Sequence, residues 1–191
     1  MNLVLVHTPV GAYHHLRGGP IVFSAPHEEK QIRDGVEKPS ERGTAALACR
    51  AAAICNGTAL VTHGPQVGDP AWDHHHPFTV HALDLARDGM LIDLHRMRPR
   101  GFDLCLGLGP DHHLSRVIWL PTLERLLDAD LTVCLNWPFA ARDRPIAAQA
   151  GRAGIPAMQV EISMDLFDHP ERIEVIAHAL ALAACEAIAG R

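Results

Sequence analysis

At 191 residues, with 48% hydrophobic and 20% charged residues, the chain is long enough to bury a sizeable core and has the balance of one globular domain spanning 1–191. Its formal net charge of -5 argues against nucleic acid or an anionic membrane surface as the main partner. No apolar run approaches the ~20 residues that a membrane helix needs. The opening MNLVLVHTPVGAYHH shows neither a basic leader nor a cleavage site, and the five cysteines (Cys49, Cys55, Cys105, Cys134, Cys185) are scattered, with no C-x-x-C pair. Both features lead us to expect a reducing, cytoplasmic setting.

In chain order, apolar runs predict strands at 3–6 and 21–23. A helix follows in SERGTAALACRAAAICNG (40–57), opened by a serine cap and closed by Asn-Gly. A strand at 59–62 leads to the helix PFTVHALDLARDG (77–89), which starts with proline and ends with glycine. Strands at 90–94, 131–135 and 157–162 and helices in PTLERLLDAD (121–130) and HPERIEVIAHALALAACEAIAG (169–190) complete the pattern. Most of these strands are continuously apolar, as expected where both faces are covered. The alternation predicts a three-layer αβα domain around a mostly parallel sheet.

Ligands of such sheets gather at the carboxyl ends of the strands. Three polar positions fall at such ends: His27 in IVFSAPHEEK, His95 in LIDLHR, and Glu161 in AMQVEIS. Period-two alternation puts Gln159, Glu161 and Ser163 on one face of the last strand and Met158, Val160 and Ile162 on the other. Taken singly, His27 reads as a turn residue, Asp93 and His95 as a core ion pair, and Glu161 as a salt-bridge partner. Together they supply what a catalytic metal site needs, in a chain with 14 histidines and one tyrosine.

The order of SAPH (24–27), DLHRMRPRGFDLCLG (93–107), NWPF (136–139) and MQVEI (158–162) resembles the N-formylglutamate amidohydrolase family. More distantly it is similar to the aspartoacylase, succinylglutamate desuccinylase and zinc carboxypeptidase group. GDPAWD (68–73) also resembles a stretch that precedes the D-L-H strand in some relatives. The resemblance covers about 20–165 and implies a phosphorylase/hydrolase-like α/β fold with a mixed, mostly parallel sheet. It implies one Zn2+ held by His27 and His95, with Glu161 as general base and Asp93 orienting a ligand.

The resemblance leaves the carboxylate ligand open. Many relatives carry it three residues after the first histidine, where this chain has Lys30. Glu41, at the start of the next helix, ranks first, and Glu28 or Glu29 second. Several relatives also have an Asn-Arg pair where this chain reads DPAWDHHHPF. Zinc, a histidine of 74–76, or Arg96, Arg98 or Arg100 would then meet the charge developing on the substrate oxygen. Arg96 is thus a second candidate catalytic residue beside Glu161. Arg96, Arg98, Arg100 and Asn136 are candidate substrate-binding residues. His112 and His113 read equally as site or loop residues.

The function this implies is zinc-dependent hydrolysis of an amide bond in a small N-acyl amino acid. Two other readings remain: a zinc peptidase or deacylase of different specificity, and a metal- or ligand-binding descendant without turnover.

Overall fold

The computed structural model describes residues 3–109 and 112–190. Its strands are β1 (Leu3–Thr8), β2 (Gly11–Leu16), β3 (Ile21–Ala25), β4 (Gln31–Arg33), β5 (Val36–Lys38), β6 (Thr58–His63), β7 (Met90–Met97), β8 (Leu104–Gly107), β9 (Val133–Leu135) and β10 (Ala157–Ser163). Its helices are α1 (Thr44–Cys55), α2 (Pro77–Ala86), α3 (His112–Asp128), α4 (Ile146–Arg152) and α5 (Pro170–Ala189).

Eight strands form one mixed sheet in the order β1-β2-β6-β3-β7-β10-β8-β9, and β4 and β5 make a separate hairpin. The centre, β6-β3-β7-β10, is parallel. β1, β2 and β8 pair antiparallel with their inward neighbours. The central strands are those whose sequence is continuously apolar, because helices cover both of their faces. On one face, Phe23, Ile92, Leu94, Met158 and Val160 pack against α1, α3 and α5. There the alanines of α5 let it lie against α1, so the alanine-rich helix joins the core rather than facing outward. On the other face, Val22, Leu60, Leu91 and Ala157 pack against α2 and α4.

That second face positions the site. Strand alternation puts Ser24, Asp93, His95, Gln159 and Glu161 on the same side as Val22, Leu91 and Ala157, but nearer the carboxyl ends. The apolar cluster under α2 and α4 takes in the early residues of these strands and none of these polar ones.

Local differences from expectation have physical causes. α1 starts at Thr44, not after Ser40, because the Glu28 carboxylate caps it. Glu28 Oε2 accepts from the N–H groups of Gly43 (3.0 Å) and Ala45 (2.8 Å). Gly43 has φ 101°, and an added Cβ would lie 2.5 Å from the Phe167 ring, so glycine suits this turn. α3 begins at His112 and carries Pro121 inside it, where the sequence suggests a start at Pro121. The earlier turns are held by Ile118, which is fully buried. β2, β4, β5, β8 and α4 have no counterpart among the expected elements. In GAYHHL, Tyr13 and His15 are the buried face of an alternating strand that its polar residues hide. α4 is a seven-residue helix of mostly small residues.

Candidate metal centre and its cavity

β3 ends at Ala25, and the following turn brings His27 over the carboxyl edge of the sheet. The Glu41 N–H donates to the His27 carbonyl (2.6 Å), which ties the segment before α1 to this turn. Glu41 then sits between two imidazoles. Its Oε1 lies 3.1 Å from Nδ1 of His27, and its Oε2 lies 3.1 Å from Nδ1 of His95, near the end of β7. Oε2 also accepts from the Arg96 N–H (3.1 Å).

The far side of each ring is held by a buried carboxylate. His27 Nε2 is 2.7 Å from Asp69 Oδ1, and His95 Nε2 is 3.0 Å from Asp93 Oδ2. Asp93 in turn accepts from the Ser24 hydroxyl (2.7 Å). Asp69 accepts from Arg33 Nε (2.5 Å) and from the N–H groups of Ala71 (2.9 Å) and Trp72 (3.1 Å). With Asp69 and Asp93 engaging Nε2, each ring presents Nδ1 inward, the arrangement in which an outer carboxylate fixes a metal-binding histidine.

Burial opposes charge on His27, but Glu41 and Asp69 outweigh it and lift its pKa to about 9. Burial likewise opposes charge on His95, and Asp93 and Glu41 raise it well above the usual range. Burial would raise Glu41, yet the two histidines hold it far below an ordinary carboxylate. One ligand atom each from His27, Glu41 and His95 lie within 4.8 Å of one another, the one such group among the described residues. Two imidazole nitrogens and a carboxylate oxygen with an open side are a donor set that zinc accepts in catalytic sites.

Glu161 on β10 is beside His95 in the parallel register and is 7% exposed. Its Oε1 accepts from Gln159 Nε2 (2.6 Å). Burial lifts its pKa to about 7, against the pull of His95 and with the help of the Glu41 charge. His27, Glu41, His95 and Glu161 share the wall of one cavity of about 470 Å³.

The other candidates divide. Arg96, Arg98 and Arg100 all line the cavity. Arg96 donates to the Arg42 carbonyl (3.1 Å) and lies 5.4 Å over the Phe167 ring, while Arg100 lies 5.4 Å over Phe139. Asn136 is not part of the cavity wall; its Oδ1 accepts from the Leu108 N–H (2.9 Å) and shapes a turn. Lys30, at the H-x-x-E position, pairs on the surface with Glu37 (2.8 Å). His74, His75 and His76 border a separate cavity, and His76 caps α2 by accepting from the Phe78 N–H (3.2 Å). His113 is exposed on α3, and the His112 side chain lies outside the described residues.

Sequence reasoning gave no role to Asp69, Arg33 or Gln159. Asp69 lies in the GDPAWD stretch, whose likeness to relatives was its one signal. Arg33 ends a strand of a hairpin turned by Asp34 and Gly35, both at positive φ, so the Asp-Gly pair marks the hairpin but not the arginine's direction.

Together these features define a class: an α/β sheet carrying a His-Glu-His cluster and a buried glutamate on one wall at its carboxyl edge. The fold is shared with solved amide-bond hydrolases. The chain is similar to a bacteriophage poly-gamma-glutamate hydrolase (TM-score 0.65, 16% identity, 97% of this chain and 94% of that one). It is similar to an N-formylglutamate amidohydrolase from Ralstonia eutropha JMP134 (TM-score 0.65, 14% identity, 91% and 95%). It is also similar to the CwlD amidase from Clostridioides difficile, solved with the GerS lipoprotein (TM-score 0.61, 12% identity, 90% and 98%). Neither the family models nor the curated proteins searched by sequence give a match. At these identities the likeness establishes the fold, including the α/β architecture that the motif order implied. No described helix is long and apolar enough to cross a membrane.

Proposed function

We propose that this chain is a metal-dependent amide hydrolase, with zinc as the metal and a small N-acyl amino acid as substrate. The observation that carries the reading is the convergence of His27 Nδ1 and His95 Nδ1 on Glu41, with Glu161 on the same cavity wall. Structural likeness to three proteins named as amide-bond hydrolases supports it.

His27, Glu41 and His95 would hold the metal. When bound, it supplies a Lewis acid for the scissile carbonyl and makes water nucleophilic near neutral pH. Asp69 and Asp93 keep both rings turned so that Nδ1 faces inward. Glu161, with a pKa near 7, takes the proton of the attacking water at a carboxylate oxygen and then delivers it to the leaving amine nitrogen. Gln159 fixes the orientation of that carboxylate. Arg96, Arg98 and Arg100 at the cavity wall draw an anionic substrate towards the site.

A binding protein without turnover would use the same metal ligands but has no use for Glu161. A carboxylate held at the cavity wall with a raised pKa favours the enzyme. The test is zinc content of the purified protein, paired with hydrolysis of an N-acyl amino acid panel that starts with N-formyl-L-glutamate. One zinc per chain with turnover is the expected result. One zinc without turnover on any amide would leave the binding reading, and no zinc would overturn the metal centre.

A further inference from the structure

The arginines around the cavity are held unequally. Arg98, Arg100 and Arg142 are exposed, and Arg96 gives a guanidinium nitrogen to the Arg42 carbonyl. Arg33 differs from all four. It sits on the β4–β5 hairpin, which is docked by the Ile32 N–H on the Gly68 carbonyl (3.1 Å) and the Gln66 N–H on the Lys30 carbonyl (2.9 Å). Its Nε donates to Asp69 Oδ2 (2.5 Å), while the other oxygen of that fully buried carboxylate engages His27. Its guanidinium carbon lies 4.6 Å over the Trp72 ring. The side chain is 28% exposed and lines the cavity with the metal cluster.

Nε and one face of the guanidinium are therefore committed within the protein. The two terminal nitrogens make no hydrogen bond among the described residues. A guanidinium pinned at Nε and stacked on an indole offers its fork in a fixed direction, and so loses little freedom when it binds a carboxylate at two points. The shared Asp69 carboxylate also fixes the fork relative to His27, and so to the metal position.

Resting on the hydrolase reading, we infer that Arg33 is the specificity-determining residue of this site. It takes a carboxylate of the substrate by a bidentate contact and thereby sets where the amide bond lies relative to His27, Glu41 and His95. The inferred substrate class is an N-acyl compound with a free carboxylate at a set distance from the scissile bond.

The experiment is calorimetric binding of N-acetyl-L-glutamate, and of its analogue with both carboxylates made carboxamides, to zinc-loaded Glu161→Gln protein, which does not consume them. With Arg33 intact, the dianion should bind about 10- to 100-fold more tightly than the diamide, the worth of a fixed charged hydrogen-bond pair. Arg33→Met should reduce that preference to below about threefold, with zinc content unchanged because Ala71 and Trp72 still hold Asp69. Arg33→Lys should recover only part, since it restores the charge without the fork. No preference with Arg33 intact, or a preference that survives Arg33→Met, overturns the inference. The measurement needs no turnover, so failure of the hydrolase reading would show separately, as wild-type protein that binds zinc and cleaves no amide.

Discussion

Nε2 of His27 lies 2.7 Å from Oδ1 of Asp69, a carboxylate with no exposure at all. The proposed metal ligand and its orienting group are thus one unit. Asp69→Asn keeps the shape but swaps a charged acceptor for a neutral amide, which lowers the electron density of the ring and its hold on one tautomer. Zinc affinity should fall by about 10- to 100-fold, the usual cost of losing such a partner. A competition titration against a chelator measures it, and an unchanged affinity would reduce Asp69 to an anchor for Arg33 and the 71–72 turn.

Glu41 and Glu28 make a paired test. Glu41 is the acid between the two histidines, whereas Glu28 caps the N-terminus of α1. Glu41→Gln should remove most of the zinc. Glu28→Gln should leave zinc bound and cost about 1 kcal/mol of stability, the scale of a lost helix cap. Zinc content and a denaturation curve on both variants decide the matter, and loss of metal in Glu28→Gln alone would reverse the two roles.

These two glutamates also show where the sequence stops being legible. The strand-end positions of His27, His95 and Glu161 could be read because parallel strands leave a strong local signature, continuous apolar residues that stop at polar ones. Which nearby acid faces the histidines is settled by the course of the 28–44 segment, and that course depends on long-range contacts. The Glu41 N–H bonds back to the His27 carbonyl, and the β4–β5 hairpin docks on 66–68. Arg33 escaped for the same reason: its direction is set by Asp69 and Trp72, 36 and 39 positions away. Asn136 shows the opposite case: its motif drew attention, and its Oδ1 accepts from the Leu108 N–H.

A histidine pair outside the metal cluster gives a pH prediction. Nδ1 of His15 on β2 is 3.3 Å from Nε2 of His81 on α2, and His15 is 4% exposed. Burial first, then the charges of His81 and Arg17, push His15 down to about 4. Above pH 6.5 His15 is neutral folded or unfolded, and its contribution is fully present. Between pH 6.5 and 4 the unfolded chain takes a proton that the folded chain refuses, so stability falls as the pH falls. Thermal melts of the metal-free protein at several pH values should therefore drop less steeply for His15→Gln than for wild type. Equal slopes would mean that this pair does not couple to folding.

Glu161 is where the proposal that this is an enzyme is most exposed. It shares a cavity wall with the metal cluster, yet it is not among the three residues whose ligand atoms converge. Its environment suits proton transfer: burial holds its pKa near 7, where a carboxylate can take a proton from water and still release it to an amine. In Glu161→Gln the amide oxygen can still accept from Gln159 Nε2, so the β10 hydrogen bond and the fold should persist. The glutamine cannot take the proton. Zinc content should stay at the wild-type level while kcat falls by about 10²-fold or more, with a much smaller change in KM. Metal analysis and steady-state kinetics on the same preparations make the comparison. Loss of zinc would make Glu161 a fourth ligand, because a neutral amide is a poor substitute for a coordinating carboxylate. Retained zinc with unchanged kcat would remove Glu161 from the chemistry and overturn its role as the base, leaving proton transfer to another group at the cavity wall, where Asp143 is the remaining carboxylate besides Glu41.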